Sequence, residues 1–217
     1  MFEDDAYYRF KDRMEASYIL AEQLKDYKGD NGVVLAVPRG GVPMGYIIAK
    51  ELGFALDIAV TKKIGHPMHK EYAIGAVSFT DYFISDYNGV SDEYLEKEIP
   101  ALREKLKRNF EKFEGGNPPE KLAGRTVIIV DDGIATGNTM LITVSMIRKQ
   151  NPAKLIIAVP VASKQAIEML SGEVDEIVCP LVPDFFTGIG AFYENFEQVS
   201  DEEVIYYLSQ FRGNAAA

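Results

Sequence analysis

The 217-residue chain contains one cysteine, no tryptophan and two histidines. The lone Cys179 excludes an internal disulfide and any cysteine-cluster zinc site. Positive charge is scarce as well: 23 Lys and Arg stand against 33 Asp and Glu, a net charge of −10. Such a chain lacks the general basic field that nucleic-acid phosphates require. No apolar run approaches the roughly 20 residues of a membrane span. The longest, Leu155 to Ala162, is interrupted by Pro160. The start, Met1-Phe2-Glu3-Asp4-Asp5, is acidic where a secretory leader is basic and then apolar. The expectation from these absences is a cytoplasmic protein with no nucleic-acid and no membrane partner.

What is present is a globular composition, 47% hydrophobic and 26% charged, which excludes a wholly disordered chain. The length fits one domain with a sizeable core. Phe10, Met14, Tyr18, Ala21 and Leu24 recur at three- and four-residue steps, the spacing of an amphipathic helix. After the turn residues Gly29-Asp30-Asn31-Gly32, the run Val33 to Val37 reads as a strand buried on both faces. A helix over 42–52 follows, with Pro43 in its first turn, and Leu56 to Val60 is a second strand. Residues 73–86 read as extended. A charged helix from about Pro100 to Phe113 has Leu102, Leu106, Phe110 and Phe113 on its apolar side, before the break Gly115-Gly116-Asn117-Pro118-Pro119. Strands at 126–131, 154–160 and 175–179 alternate with helices at 137–149 and 164–171. A last helix opens at Ser200, which makes a capping box with Glu203. Its buried side is Val204, Tyr207, Leu208 and Phe211. Alternation of this kind predicts an α/β fold, a Rossmann-like and mostly parallel sheet flanked by helices, with ligands beyond the carboxyl ends of the strands. Residues 213–217 read as a frayed tail.

Chemistry concentrates in Val127-Ile128-Ile129-Val130-Asp131-Asp132-Gly133-Ile134-Ala135-Thr136-Gly137-Asn138-Thr139. Two adjacent carboxylates repel each other, so a strand that ends in them needs a partner such as sugar hydroxyls or a cation. The loop Ala135 to Thr139 offers backbone N–H groups at a helix N-terminus, suited to a phosphate dianion. Capping of the helix by either aspartate is the simpler alternative, and the flanking strand and loop argue against it.

These thirteen residues resemble the signature of the type I phosphoribosyltransferases, which use phosphoribosyl pyrophosphate (PRPP). The resemblance implies that Asp131 and Asp132 are catalytic residues on the ribose hydroxyls. It implies that Ala135, Thr136, Gly137, Asn138 and Thr139 hold the 5-phosphate. Mg²⁺ is implied as cofactor, carried mainly by PRPP and touched by Asp131 or Asp132. The loop Val37-Pro38-Arg39-Gly40-Gly41 is similar to the family's pyrophosphate loop, with Lys62 and Lys63 at the end of the second strand as its basic complement. His66 and His69 are too few for a metal site. Between Lys63 and Pro100 the family carries a mobile loop; the stretch Tyr72 to Val77 within it has no assigned role.

On the acceptor side, Lys164 opens a helix at the ligand edge, and Phe186 stands where the hypoxanthine-guanine branch stacks an aromatic ring on the purine. Packing of Phe185, Phe186 and Phe192 into the core is the alternative. That branch has aspartates at the places of Ala135 and Tyr193, so the acceptor branch is unassigned here. The implied organisation is a single domain over 1–212, with a loop and helical insert at 64–120 and an acceptor-side hood at 180–199, and a homodimer. The implied function is transfer of the 5-phosphoribosyl group from Mg-PRPP to a nitrogen acceptor, a nucleobase or similar heterocycle, with release of pyrophosphate. The alternative is a non-catalytic PRPP-binding sensor. Generic dinucleotide binding is disfavoured because no Gly-x-Gly-x-x-Gly loop is present.

Overall fold

The computed structural model describes residues 8–69, 73–79, 82–84, 89–115 and 117–215. Met1 to Asp5, Tyr72, Gly116 and parts of the 73–86 stretch and of the tail lie outside the described residues.

The apolar runs form the centre. Strands β1 (Gly32–Ala36), β2 (Ala55–Ile58), β6 (Thr126–Val130), β7 (Lys154–Ala158) and β8 (Glu176–Val178) make a five-stranded parallel sheet in the order β2-β1-β6-β7-β8. Every residue of β1 and β6 is buried, because both faces of the sheet are covered. Alternate residues belong to two separate cores. Val34, Ala36, Ile128 and Val130 point to one, and Val33, Leu35, Val127 and Ile129 to the other. The first core is closed by α1 (Arg13–Gln23), α2 (Gly41–Leu52) and α6 (Asp201–Ala215), the second by α4 (Asn138–Arg148) and α5 (Lys164–Leu170). This is the architecture expected from the sequence. The capping box of α6 is present, with Glu203 N–H donating to Ser200 Oγ at 3.1 Å and Ser200 N–H to Glu203 Oε2 at 2.8 Å.

Four expectations are corrected. In α1 the buried residues are Ala16, Ser17, Leu20 and Ala21, while Met14 and Tyr18 are 43% and 54% exposed. Phe10 precedes the helix and bridges to Tyr193 instead, so the Phe10–Met14 step is not a helical one. The charged helix, α3 (Asp92–Glu114), begins well before Pro100, where the Ser91 side chain accepts the Tyr94 N–H. Pro100 therefore lies inside a helix, on its exposed side. Finally, Lys62 and Lys63 do not end the second strand. They open β3 (Lys62–Gly65), which pairs antiparallel with β4 (Ala73–Val77), itself paired with β5 (Tyr82–Ile84). The second strand of the main sheet ends at Ile58, and the chain leaves that sheet before the lysines. The last helix also runs on to Ala215, past Gly213.

The small sheet and α3 share a third core of Ile64, Ile74, Val77, Leu95, Ile99, Leu102 and Leu106. Each fully buried aliphatic side chain of this kind contributes about 1.5–3 kcal/mol. Among the described residues, no helix is long and apolar enough to cross a membrane.

Buried Asp57 on β2 anchors the returning linker to the sheet edge. Its carboxylate accepts the N–H groups of Ile58 and Glu120, each at 2.7 Å. Asp57→Ala leaves both donors without that acceptor, and is expected to destabilise the fold by about 1–3 kcal/mol in urea unfolding at pH 7.

Candidate active site

β6 ends in the carboxylate pair, and the loop after β1 lies directly against it. Val37 N–H donates to Val130 O at 2.8 Å, and Gly41 N–H to Val37 O at 3.0 Å. The Pro38–Arg39 peptide in this loop is cis. A Cβ on Gly40 would sit 1.9 Å from Asp132 Oδ2, and one on Gly41 would sit 2.5 Å from Val130 O. Gly40 has φ −60°, an angle open to any residue. The pair of glycines is therefore required by space and not by backbone angle.

Beyond Asp132 the chain continues alongside the end of β7. Ile134 N–H donates to Val161 O at 2.9 Å, and Ser163 N–H to Ile134 O at 3.0 Å. Ser163 Oγ donates to Ala135 O at 2.5 Å and accepts the Ala166 N–H at 3.0 Å. Gly137 turns the chain with φ +79° and caps α4, where Leu141 N–H reaches Gly137 O at 2.8 Å. Ala135, Thr136, Asn138 and Thr139 are left exposed around the start of α4. The five residues expected at a phosphate thus surround one helix N-terminus, with its unsatisfied N–H groups and positive dipole end.

Two cavities flank the carboxylates. One, of about 340 Å³, is lined by Val37, Pro38, Asp131 and the loop Gly133 to Gly137, with Thr139, Thr143 and Ile189. The other, of about 290 Å³, is lined by Arg13, Arg39, Gly40, Asp132, Phe196, Gln198 and Val199. Adjacent in sequence, Asp131 and Asp132 therefore open to different spaces.

Their environments differ too. Asp131 Oδ1 accepts the Asp132 N–H at 2.8 Å. Asp131 is open to its cavity but crowded by protein elsewhere. That desolvation first, and the charge of Asp132 second, push its pKa well above the usual carboxylate range. Asp132 has a cation instead. Arg13 donates to Asp132 Oδ2 through Nε at 3.0 Å and through Nη2 at 2.7 Å. Tyr193 donates its hydroxyl to Asp132 O at 2.8 Å, and burial, with the neighbouring Asp132 charge, raises its pKa.

Of the remaining sequence-expected residues, Arg39 lines the second cavity, and its guanidinium is 3.6 Å from Asp201 Oδ1. The other oxygen of Asp201 receives Lys112 at 2.5 Å. Lys62 and Lys63 on β3 line neither cavity. Lys164 pairs with Asp184 on the surface. Phe186 is half-buried against Phe192, with ring centroids 5.5 Å apart, whereas Phe185 is 88% exposed and does not pack into the core. His66 and His69 lie with ring centroids 6.1 Å apart. Among the described residues no three His, Cys, Asp or Glu side chains converge on a metal site.

Sequence reasoning missed Arg13, Tyr193 and Thr143 as members of the site. Thr143 donates to Thr139 O at 3.0 Å and meets Thr61 Oγ1 at 2.9 Å, which ties the start of the small sheet to α4. Only Arg13 carried a signal, as a cation at the start of a helix whose first turn is otherwise apolar and acidic.

An aspartate whose pKa is raised in the fold binds more protons folded than unfolded. Stability is therefore lost as pH rises from the unfolded value, about 3.9, through the folded one. Asp131→Asn keeps an Oδ1 acceptor for the Asp132 N–H and abolishes that loss. The variant is expected to unfold at higher urea than the parent at pH 7, with the gap closing towards pH 3.

Residues 5–197 match the phosphoribosyl transferase domain family. Two Mycobacterium tuberculosis proteins, Rv0571c of strain H37Rv and MT0597 of strain CDC 1551 / Oshkosh, are provisionally named phosphoribosyl transferases. Each is 36% identical over 206 residues, covering 93% of this chain and 46% of theirs. The chain thus spans about half the length of these curated relatives. The crystal structure of TT1426 from Thermus thermophilus superposes with a TM-score of 0.85 at 36% identity, over 94% of this chain and 99% of that one. With a strand–carboxylate–loop–helix unit at its centre and a family match across most of its length, the chain belongs to the phosphoribosyl transferase domain family.

Proposed function

We propose that the protein transfers the 5-phosphoribosyl group of Mg-PRPP to a nitrogen acceptor, a nucleobase or similar heterocycle, and releases pyrophosphate. The observation that carries this reading is the 340 Å³ cavity in which Asp131 and, at the helix N-terminus, Ala135, Thr136, Gly137 and Thr139 face the loop after β1. A sugar phosphate has the same order of groups: hydroxyls for the carboxylate, a dianion for the N–H cluster. The reading takes 1–212 as one domain, 64–120 as an insert and 180–199 as a hood on the acceptor side, with Lys164 and Phe186 as acceptor contacts. It includes a homodimer.

Asp131 and Asp132 hold the ribose from the two sides of the β6 end. Their charge favours the oxocarbenium-like state that forms as the acceptor nitrogen bonds to C1 and the C1–pyrophosphate oxygen bond breaks. Both electrons of that bond leave with pyrophosphate. Arg39 and the backbone at Gly40, which line the second cavity, receive the departing charge. Lys62 and Lys63, on β3 and outside both cavities, have no part in this step. Asp131 and Asp132 suit an ion carried in on phosphate oxygens, since Mg²⁺ keeps waters and takes only one or two carboxylates. When bound, the ion supplies charge neutralisation of the leaving group.

The test is pyrophosphate release from Mg-PRPP across a panel of nucleobases and related heterocycles. Acceptor-dependent release that disappears in Asp131→Asn/Asp132→Asn is the expected result. Binding of PRPP with no release for any acceptor would point instead to a PRPP-binding sensor. Among single variants, Asp132→Asn is expected to lower turnover at least ~10-fold, the scale of one charge-assisted contact. Arg39→Ala is expected to weaken PRPP and pyrophosphate more than the acceptor, read from separate KM and inhibition constants.

A further inference from the structure

Asp132 is held by a side chain that no part of the phosphate-cradle argument requires. Arg13, the first residue of α1, directs two of its nitrogens at Asp132 Oδ2, at 3.0 and 2.7 Å. Its third nitrogen donates to Glu197 O at 2.6 Å. The guanidinium face lies 4.0 Å over the Phe196 ring. Both side chains of the pair are 13% exposed, so the contact is shielded from the screening that makes surface ion pairs weak.

The arrangement fixes the guanidinium in every direction. The Glu197 carbonyl and the Phe196 ring set its plane, and α1 sets its reach. Asp132 is fenced on its other side by Gly40, where no Cβ fits. Its backbone carbonyl is held by Tyr193. Every hydrogen bond described for its carboxylate goes to Oδ2, which leaves Oδ1 for a ligand.

We infer that Arg13 is a positioning residue for phosphoribosyl transfer: it locks Asp132 on the side of β6 away from Asp131 and fixes the plane of its carboxylate. This rests on the reading that the site takes Mg-PRPP, and it deepens it. The physical reason is orientation. Arg13 grips Oδ2 with two nitrogens, at 3.0 and 2.7 Å, and so sets the plane of the carboxylate and the aim of Oδ1. Without Arg13, Asp132 is free to turn, and a ligand held through Oδ1 then carries the cost of fixing it. A lysine at this position would restore the charge but not the fork that sets the carboxylate plane.

The inference is tested by calorimetric titration of Mg-PRPP into the parent protein, Arg13→Gln, Arg13→Lys, Asp132→Asn and the double variant Arg13→Gln/Asp132→Asn. Turnover on any acceptor found active separates KM from kcat. Arg13→Gln is expected to weaken Mg-PRPP binding by about tenfold or more, and Arg13→Lys by a smaller factor. The double variant is expected to bind no more weakly than Asp132→Asn alone, because Arg13 acts through that carboxylate. Unchanged affinity in Arg13→Gln overturns the inference. So does additivity of the two single losses, which would mean that Arg13 touches the ligand itself or serves only the fold. If Arg13→Gln does not fold, Arg13→Lys carries the same comparison, made once with Asp132 intact and once in the Asp132→Asn variant. Failure of the parent protein to bind Mg-PRPP overturns the PRPP reading and this inference with it, whereas parent binding with an indifferent Arg13 overturns only the inference.

Discussion

Two carboxylates at the end of one buried strand repel each other, and much of what surrounds β6 answers that repulsion. Asp131 receives a backbone N–H and opens to one cavity. Asp132 turns to another and receives Arg13. Tyr193, Gly40 and Phe196 then fix that second carboxylate and its partner. The elements that supply these contacts are distant in sequence: α1, the loop after β1, and the segment that precedes α6. Their common point is one dipeptide.

The cost of this arrangement is concentrated on Asp131. Crowding by protein and a neighbouring negative charge both disfavour its ionised form, and the fold keeps it at the wall of a cavity. Strain of that kind at a cavity is a marker of function. Cys179 shows the opposite case. Burial pushes its thiol up to about 12, but it donates to the Leu181 carbonyl and faces neither carboxylate cavity. Its rise comes from burial, which outweighs the opposing backbone contacts at Leu181 and Ala162.

Most of the main sheet was legible because its strands are buried on both faces. Such strands read as unbroken apolar runs, as at Val33–Val37 and Val127–Val130, and the glycine-threonine loop after them has few other uses. The insert was harder. Pro100 resembles a helix start, which hid the true N-cap at Ser91. Lys62 and Lys63 follow the second strand so closely that a change of sheet leaves no trace in the pattern. In α1 the spacing identified a helix but misplaced its face, since the interior is filled by the small Ala16, Ser17 and Ala21, which weigh little beside Met14 and Tyr18. Tyr193 was out of reach for a different reason, and Arg13 showed only a cation at a helix start: their partner lies far along the chain, and no local periodicity encodes a contact of that range.

The glycine that crowds Asp132 has an evolutionary consequence. Any side chain at position 40 displaces the carboxylate, and the space that a displaced carboxylate vacates is what would admit a side chain at 40. The dependence runs one way: a side chain at 40 requires the carboxylate at 132 to shrink or move, whereas a change at 132 alone creates no clash with Gly40. Any route that remodels this corner by single substitutions therefore passes through position 132 first.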